Sequence, residues 1–329
     1  MVGRRDRLRG PRSGRFSCIC IPPAICLAAI NSAAAIIVRT YGKLGQTLLI
    51  FLRLFSLLPL PLAHALGVLL GLLALLRRRH RALLRDNLKL TGLYSPRILL
   101  RAGVELGKGL MELPLVWLAP LPRVFTLIRE VRGWEHIEAA SAQGHGLALL
   151  VPHLGCWEIG GIYLSYRVPV TALYTPPPQE WVHEMMRYGR ERAGAKTVPP
   201  TAGGVRALLG KLKAGEATFI LPDQSANRGE GLWIRFLGHP AYMPSLPYRL
   251  ITSTHAVPLS LFAERLSWGR GFRLHIEPLP DVEDNTVATL ARVANQAISA
   301  LIRAHPGQYL WSYRLFRQQG DTPPPDDLA

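Results

Sequence analysis

An uncharged apolar run at residues 147–151, closed by Pro152 and followed at once by His153, constrains the fold of this chain more than any other stretch. Five consecutive apolar residues are typical of a buried strand, and a proline suits the end of a strand better than its middle. Gly155 then provides a turn, and a helical pattern begins near Trp157. The stretch therefore predicts a buried strand that ends at a histidine and leads through a short loop into a helix.

Glu158 stands five residues after His153, at the start of the predicted helix. On one continuous helix the two side chains would lie about 140° apart, but a loop that enters a helix N-terminus can fold the imidazole back onto the carboxylate. The helix dipole favours an ionised glutamate there, and a carboxylate beside a histidine fixes its tautomer and makes it a better base. We therefore expect His153 to be a general base that Glu158 orients. A core histidine capped by a carboxylate is the alternative.

Apolar and amphipathic segments alternate along the rest of the chain. Apolar runs predict strands at 168–174, 217–221, 232–237, 257–263 and 272–278. Helical patterns are found at 81–90, 99–118, 133–142, 179–192, 202–214 and 284–303. Because strands alternate with helices, we expect an α/β layered domain.

The amino-terminal part is both apolar and basic. Residues 16–38 carry no charge and are long enough to span a membrane. A second apolar stretch, 44–76, is followed by a block of arginines, namely Arg77, Arg78, Arg79 and Arg81. An anionic headgroup layer attracts such a block, so we expect a single membrane-associated helical segment within 44–76.

Other interpretations of the amino-terminal part stay open. The two apolar stretches could be two membrane passes, with both basic flanks in the cytoplasm. Alternatively, residues 16–38 could be a signal peptide, although no small-residue cleavage site is evident. Residues 1–40 could be an extension upstream of the true start, and 44–76 could be a buried core helix. We divide the chain into an amino-terminal extension at 1–43, a membrane-anchoring segment at 44–80, a main domain at 81–317 and a flexible tail at 318–329.

The net charge of +17 indicates an anionic partner. A chain this basic suits anionic lipid, nucleic acid or an acidic protein. Residues 309–317 interleave aromatic side chains with arginines, a pattern that could indicate a nucleic-acid surface. No nucleic-acid fold signature accompanies it, and the same residue types suit a membrane interface. We therefore expect a membrane partner and no nucleic acid.

The cysteines of this chain show neither a disulfide framework nor a zinc-binding spacing. They are Cys18, Cys20, Cys26 and Cys156. A reducing compartment is therefore the default. Cys156 could be a nucleophile beside His153, or it could bind zinc together with His153 and Glu158. No further ligand cluster is apparent, so we expect Cys156 to fill a small buried space, with no metal and no cofactor.

Four sequence blocks carry a family resemblance. They are 148–161 with His153 and Glu158, 189–196 with Gly-Arg-Glu-Arg, 221–238 with Pro-Asp-Gln, and 306–317 with Pro-Gly-Gln-Tyr-Leu-Trp-Ser-Tyr. In this order they resemble the bacterial lipid A late (lauroyl/myristoyl) acyltransferases, of the His-x4-Asp/Glu lysophospholipid acyltransferase superfamily. The resemblance runs from about Leu48 to Arg317. It implies a central, mostly parallel sheet flanked by helices, with an amino-terminal membrane-associated helical segment.

The resemblance also implies what the central arginines do. Arg190 or Arg192 would bind substrate or stabilise the oxyanion that forms when a hydroxyl attacks a thioester, and the sequence does not choose between them. Backbone N–H groups near Gly155 and Cys156 could also face that oxyanion. His153 would be the base that takes the proton of the hydroxyl.

Asp223 and Gln224 follow the end of a predicted strand, and the resemblance places them in the acceptor or catalytic pocket; a polar turn is the alternative. Their block lacks the Pro-Glu-Gly-Thr-Arg pattern of glycerolipid acyltransferases, which argues against a simple glycerol-phosphate acceptor.

The activity implied is transfer of a fatty acyl chain from an acyl carrier protein thioester to a hydroxyl of a lipid A precursor, at the cytoplasmic face of the bacterial inner membrane. The acceptor would be an anionic membrane lipid. Transfer to another glycolipid or a lysophospholipid, or lipid binding without catalysis, are the alternatives.

Overall fold

The computed structural model describes Thr47, residues 50–282, residues 284–316 and Pro324. The predicted extension at 1–43 and most of the tail at 318–329 lie outside the described residues. The helices are α1 (Leu60–Leu76), α2 (Arg78–Leu90), α3 (Pro96–Leu118), α4 (Leu121–Thr126), α5 (Trp134–Ala142), α6 (Trp157–Arg167), α7 (Glu180–Glu191), α8 (Ala202–Lys213), α9 (Leu246–Thr254) and α10 (Val287–Ala304). The strands are β1 (Ile128–Arg132), β2 (Leu147–Leu150), β3 (Val170–Leu173), β4 (Lys196–Val198), β5 (Ala217–Ile220), β6 (Gly231–Phe236), β7 (His239–Pro244), β8 (Val257–Arg265) and β9 (Phe272–Pro278).

Seven of these strands form one sheet, in the order β1-β9-β8-β2-β5-β3-β4. β8 and β9 are antiparallel, and every other neighbouring pair is parallel. The predicted α/β fold with a mostly parallel, helix-flanked sheet is confirmed. β2 and β5 are buried along their whole length, because a parallel sheet covered by helices has no solvent-facing side at its centre.

The segment predicted as a strand at 232–237 lies outside this sheet. It forms β6, which pairs with β7 in a separate antiparallel hairpin. The sequence analysis did not predict β1, β4, β7, α4 or α9. These elements have three to nine residues, too few for hydrophobic periodicity to be decisive.

The apolar stretch at 44–76 is not one helix in its described part. Residues 50–55 are helical, residues 56–59 are not, and α1 begins at Leu60. Pro59 and Pro61 explain the break, because a proline has no backbone N–H to donate and suits the first turn of a helix better than its interior.

Glycines bring α1 and α3 into backbone contact. A Cβ atom at Gly107 of α3 would lie 2.0 Å from the carbonyl oxygen of Gly67, and one at Gly71 of α1 would lie 2.2 Å from the carbonyl oxygen of Gly103. Small residues at both helices allow this approach. One face of α1 is therefore buried against α3.

The opposite face of α1 is an exposed leucine stripe. Its members are Leu62, Leu66, Leu69, Leu72, Leu73 and Leu76, each at least 40% exposed. Within the described residues no single helix is long and apolar enough to cross a membrane. α1 and α2 together meet those criteria by length and composition, but the chain bends by 93° between them.

The glycine contact makes a testable prediction about stability. Gly107→Ala should lower the midpoint of thermal unfolding by several degrees, because its Cβ has no space unless α1 moves away. Gly210→Ala in α8 is the matched control, since nothing lies within 4 Å of a Cβ there. Alanine should leave that midpoint unchanged or raise it slightly, because it is the better helix former. Equal effects of the two substitutions in a thermal melt would contradict the close packing of α1 on α3.

Candidate active site

Two neighbouring parallel strands bring His153 and Asp223 together. Leu150 of β2 pairs with Ile220 of β5, and each strand is followed three residues later by one of the two side chains. Both positions also follow a proline that ends an apolar run. The carboxyl ends of paired parallel strands therefore place a histidine and an aspartate side by side, at the edge of the sheet where α/β proteins bind ligands.

The Asp223 carboxylate holds His153 at two points. Its Oδ1 lies 2.8 Å from the imidazole Nδ1, and its Oδ2 accepts the backbone N–H of His153 at 2.8 Å. The Asp223 side chain is completely buried and the His153 side chain is 12% exposed. The pairing assigns the ring proton to Nδ1, because an ionised carboxylate can only accept.

The other imidazole nitrogen, Nε2, has a polar neighbour of its own. It lies 3.1 Å from the side-chain amide of Gln224, and the ring packs between Trp157 and Tyr313, with ring centroids 5.0 and 5.6 Å away. With the proton on Nδ1, the Nε2 lone pair accepts a hydrogen bond from the Gln224 amide nitrogen. His153 lies where the sequence predicts it, after the end of a buried strand.

Glu158 does not provide the carboxylate that pairs with His153, in contrast to the expected dyad. It lies in the first turn of α6 and accepts hydrogen bonds from the Trp117 and Trp157 indoles at 3.0 and 3.2 Å. The indole of Trp157 contacts both residues, edge-on to the imidazole and through its N–H to Glu158. Asp223 takes the place beside the imidazole because β5 lies directly next to β2.

The partner of Glu158 is Arg190 of α7. The Arg190 Nη2 lies 2.5 Å from Glu158 Oε1, and its Nε donates to both carboxylate oxygens at 3.1 and 3.2 Å. Burial raises the pKa of Glu158, but the positive charge and hydrogen bonds of Arg190 outweigh it and hold that pKa below its usual range. The pair is therefore a fixed, charged feature of the site.

Arg192, the other candidate of the central block, points away from the site. Its guanidinium donates to the backbone carbonyls of Val116 and Ala119, at the carboxyl end of α3. The structure thus brings Arg190 to the site and gives Arg192 a role in joining α7 to α3.

The backbone N–H groups expected to face an oxyanion are already engaged. Gly155 donates to the carbonyl of Gln308 and Cys156 donates to the carbonyl of Ala263. Gly155 has a φ of +63°, and a Cβ there would lie 2.0 Å from the Ala263 oxygen. These contacts fix the loop between β2 and α6 and leave its two amides unable to bind an oxyanion in this conformation.

Cys156 is buried, and burial raises the pKa of its thiol well above the ordinary value, with Glu112 adding to the effect. A protonated thiol is a poor nucleophile, so the geometry favours the space-filling interpretation. In the part of the chain that the structure describes, no group of three or more His, Cys, Asp and Glu side chains could hold a metal ion.

A buried charge network behind the loop is a feature that the sequence analysis missed. Arg265, at the end of β8, donates to Glu112 of α3 at 2.5 and 2.7 Å, to Glu105 at 2.8 Å, and to the carbonyl of Gly155 at 3.3 Å. His64 of α1 lies 2.6 Å from Glu112. Nothing in the local sequence marks these residues, because they meet only through the packing of α1, α3 and β8.

An apolar pocket adjoins the Glu158–Arg190 pair. Its walls include Ile162, Val170, Leu173, Ala195, Phe219 and Leu221. The pocket lies among α6, β3 and β5, next to the strand ends that carry His153 and Asp223.

Comparison with known proteins gives a consistent result. A family model described as "Bacterial lipid A biosynthesis acyltransferase" matches residues 39–318. The chain is 27% identical over 268 residues to a lipid A biosynthesis palmitoleoyltransferase of Escherichia coli, covering 79% of this chain and 86% of that protein. It is 28% identical over 194 residues to a lipid A biosynthesis acyltransferase of Haemophilus influenzae, covering 58% of this chain and 60% of that protein.

A phosphatidylinositol mannoside acyltransferase of Mycobacterium tuberculosis is also similar, with 28% identity over 191 residues, 56% of this chain and 58% of that protein.

The buried network predicts a strong dependence of stability on Glu112. Glu112→Gln should lower the free energy of unfolding by about 3 kcal/mol or more, because it removes the main counter-charge of the buried Arg265. Glu105→Gln is the matched control. Its carboxylate is 17% exposed, and Arg265 keeps Glu112, so the loss should be about 1 kcal/mol.

Acid should reproduce the effect of Glu112→Gln in the natural sequence. Arg265 and His64 outweigh the effect of burial and lower the pKa of Glu112 from 4.5 to about 2. A depressed folded-state pKa adds stability above pH 4.5 that is lost as the pH falls from 4.5 towards 2. Denaturant titrations of both variants at several pH values test this. The account fails if Glu112→Gln unfolds no more easily than Glu105→Gln, or shows the same acid dependence as the natural chain.

Proposed function

Because this chain belongs to the bacterial lipid A biosynthesis acyltransferase family, we propose that it transfers a fatty acyl chain from an acyl carrier protein thioester to a hydroxyl of a lipid A precursor. The observation that carries the proposal is the Asp223–His153 pair, which leaves the imidazole Nε2 unprotonated and able to accept a hydrogen bond, as it does from the Gln224 amide. An acceptor hydroxyl that takes the place of this amide could give its proton to Nε2 as it attacks a thioester.

The reaction consists of two proton transfers around one addition and one elimination. The acceptor hydroxyl gives its proton to Nε2 of His153 while its oxygen bonds to the thioester carbonyl carbon. The tetrahedral intermediate then collapses, the carbon–sulfur bond breaks, and the leaving thiolate takes the proton from the imidazolium. Asp223 stays ionised and stabilises the imidazolium between the two transfers, which makes it a positioning residue.

Arg190 is the proposed donor to the oxyanion of the tetrahedral intermediate. Its Nε and Nη2 are held by Glu158, which leaves Nη1 outside that contact. A guanidinium fixed before the reaction costs no reorganisation when negative charge develops. Glu158 then acts by positioning Arg190, rather than by orienting His153.

The apolar pocket beside Glu158 and Arg190 has a volume of about 40 Å³, which suits the first methylene groups of the donor's acyl chain. Its walls are aliphatic and aromatic side chains, and burying methylene groups there contributes about 0.8 kcal/mol each. A chain that enters this pocket would place its carbonyl near the Arg190 guanidinium, which lines it.

A second acceptor is supported by the similarity to the mycobacterial phosphatidylinositol mannoside acyltransferase. The same base, arginine and apolar pocket would serve transfer to a hydroxyl of another phosphorylated glycolipid. Incubating the protein with one acyl donor and each acceptor in turn, with products identified by mass spectrometry, separates the two functions.

We further propose that the protein acts at the cytoplasmic face of the inner membrane, with α1 as the contact. The leucine stripe of α1 is exposed, and a block of arginines follows at 77–81. Apolar side chains beside arginines suit a helix that lies in the plane of an anionic membrane. The net charge of +17 would also attract an acidic carrier protein.

The reaction mechanism predicts a rank order among three substitutions. His153→Ala should lower kcat by about 10²–10⁴-fold, because the base is gone. Asp223→Asn should be similarly severe, because an amide at this position can donate to Nδ1 and so force the ring proton onto Nε2. Glu158→Gln should cost less, about 10- to 100-fold, because glutamine still accepts a hydrogen bond from Arg190.

Initial rates with an acyl carrier protein donor measure the order, and thermal melts confirm that each variant is folded. If Glu158→Gln were more damaging than Asp223→Asn in folded protein, Glu158 rather than Asp223 would be the residue that orients the base.

The membrane proposal predicts which segment anchors the protein. A chain that lacks residues 1–40 should still float with phospholipid vesicles. Replacing Leu66, Leu69 and Leu73 by serine in this truncated chain should abolish flotation, because burial of each leucine in the membrane contributes about 1.5–3 kcal/mol of binding free energy. Leu110→Ser, at an exposed position of α3, is the control and should float normally. A truncated chain that is released from vesicles without further change would place the anchor within residues 1–40.

A further inference from the structure

The connection between β8 and β9 carries an exposed tryptophan in an unusual backbone conformation. Trp268 is 90% exposed and has a φ of +62°, a region that bulky side chains avoid. The following residue, Gly269, lies against the backbone of Pro61 at the start of α1. The turn is therefore held beside the leucine stripe, and the indole projects into solvent despite the cost of its conformation.

Three arginines surround a depression at the base of this turn. Arg129 of β1, Arg270 of the turn and Arg273 of β9 line it together with Leu266, with a volume of about 410 Å³. We call this feature the arginine cleft. Three of its four residues also line a larger cavity of about 1040 Å³, which extends between the turn and the facing surfaces of α1 and α3.

Two of the three guanidinium groups are not neutralised. Arg129 donates from Nε to the carbonyl of Arg270 at 2.7 Å, and Arg270 donates from Nε to the carbonyl of Ser267 at 3.1 Å. Neither forms an ion pair with a carboxylate among residues 50–282 and 284–316. Arg273, by contrast, forms ion pairs with the carboxylates of Glu130 and Glu264. The remaining N–H groups of Arg129 and Arg270 are thus available to an outside anion.

We propose that the arginine cleft binds the phosphate monoester headgroup of a membrane lipid, with Trp268 inserted beside it at the membrane surface. A phosphate monoester carries about −1.5 to −2 charges and three acceptor oxygens, and guanidinium groups match that geometry with paired N–H donors. Tryptophan is enriched at the level of lipid headgroups, and the leucine stripe of α1 adjoins it. The proposal rests on the proposed action at a membrane, and it adds a headgroup preference.

The larger cavity extends from this headgroup site to residues that hold the loop after His153. Arg265 and Gln308 line its inner wall, and both contact the backbone of Gly155, two residues from His153. A lipid whose phosphate occupies the cleft and whose body fills this cavity would therefore lie against the residues that fix that loop.

The test compares binding of the full chain to two kinds of vesicle, without any thioester. One kind contains phosphatidic acid, a phosphate monoester, and the other contains phosphatidylglycerol, a phosphodiester, each mixed into phosphatidylcholine at matched surface charge. The natural chain should partition about fivefold or more in favour of phosphatidic acid. Arg129→Gln with Arg270→Gln should remove that preference, because it removes the two guanidinium groups that have no carboxylate partner and would bind the phosphate monoester.

Arg78→Gln with Arg79→Gln is the matched control, because it removes the same charge at the opposite end of α1. It should weaken binding to both vesicles by the same factor and keep the preference. Trp268→Gly, which suits a positive φ, should also weaken both equally.

Each of the remaining outcomes would overturn a specific part of the proposal. A natural chain that prefers neither lipid, or cleft variants that keep the preference, would overturn the headgroup site alone. Complete displacement by millimolar inorganic phosphate would assign the cleft to free phosphate. Failure to bind either vesicle would overturn the proposed membrane action as well, while leaving the acyl transfer proposal to its own assay.

Discussion

Parallel pairing of β2 with β5 is the constraint on which the candidate site depends. The register that aligns Leu150 with Ile220 places the next polar residues of the two strands, His153 and Asp223, within hydrogen-bond distance. A one-residue slip would turn every side chain of a strand to the other face of the sheet, where it would meet neighbours of a different shape, so close packing on both faces holds the register. The same burial keeps water away from Asp223. In such a low-dielectric site its hydrogen bonds to His153 are stronger than they would be in water.

The charge network of Arg265, Glu112 and His64 links this site to α1. A buried ion costs free energy unless it is paired. His64 of α1, Glu112 of α3 and Arg265 of β8 meet only when these three elements are packed together. Arg265 also contacts the carbonyl of Gly155. The helix proposed to meet the membrane and the loop that follows His153 therefore share one set of buried contacts, through which their positions are coupled.

Local patterns predicted much of the fold, and non-local packing explains what they did not predict. The strand at 147–151, the turn at Gly155 and the helix from Trp157 follow from runs of neighbouring residues. The partner of His153 does not follow from neighbouring residues. Closeness in sequence favoured Glu158, whereas the pairing of β2 with β5 places Asp223, 70 residues away, beside the imidazole. One signal was available, since both His153 and Asp223 follow an apolar run ended by a proline. The sequence could not tell which of Arg190 and Arg192 enters the site. That choice depends on how α7 is oriented, which hydrophobic periodicity does not give.

The central claim is that His153 and Asp223 act as one unit in proton transfer, and a double-mutant cycle tests it most directly. The value of kcat/KM is measured for His153→Ala, for Asp223→Asn and for the chain with both changes, each checked for folding. Residues that act as a unit are strongly non-additive, so the double variant should be no slower than His153→Ala alone. If the two losses instead multiplied, as they do for independent sites, Asp223 would act apart from the histidine and the account would be contradicted.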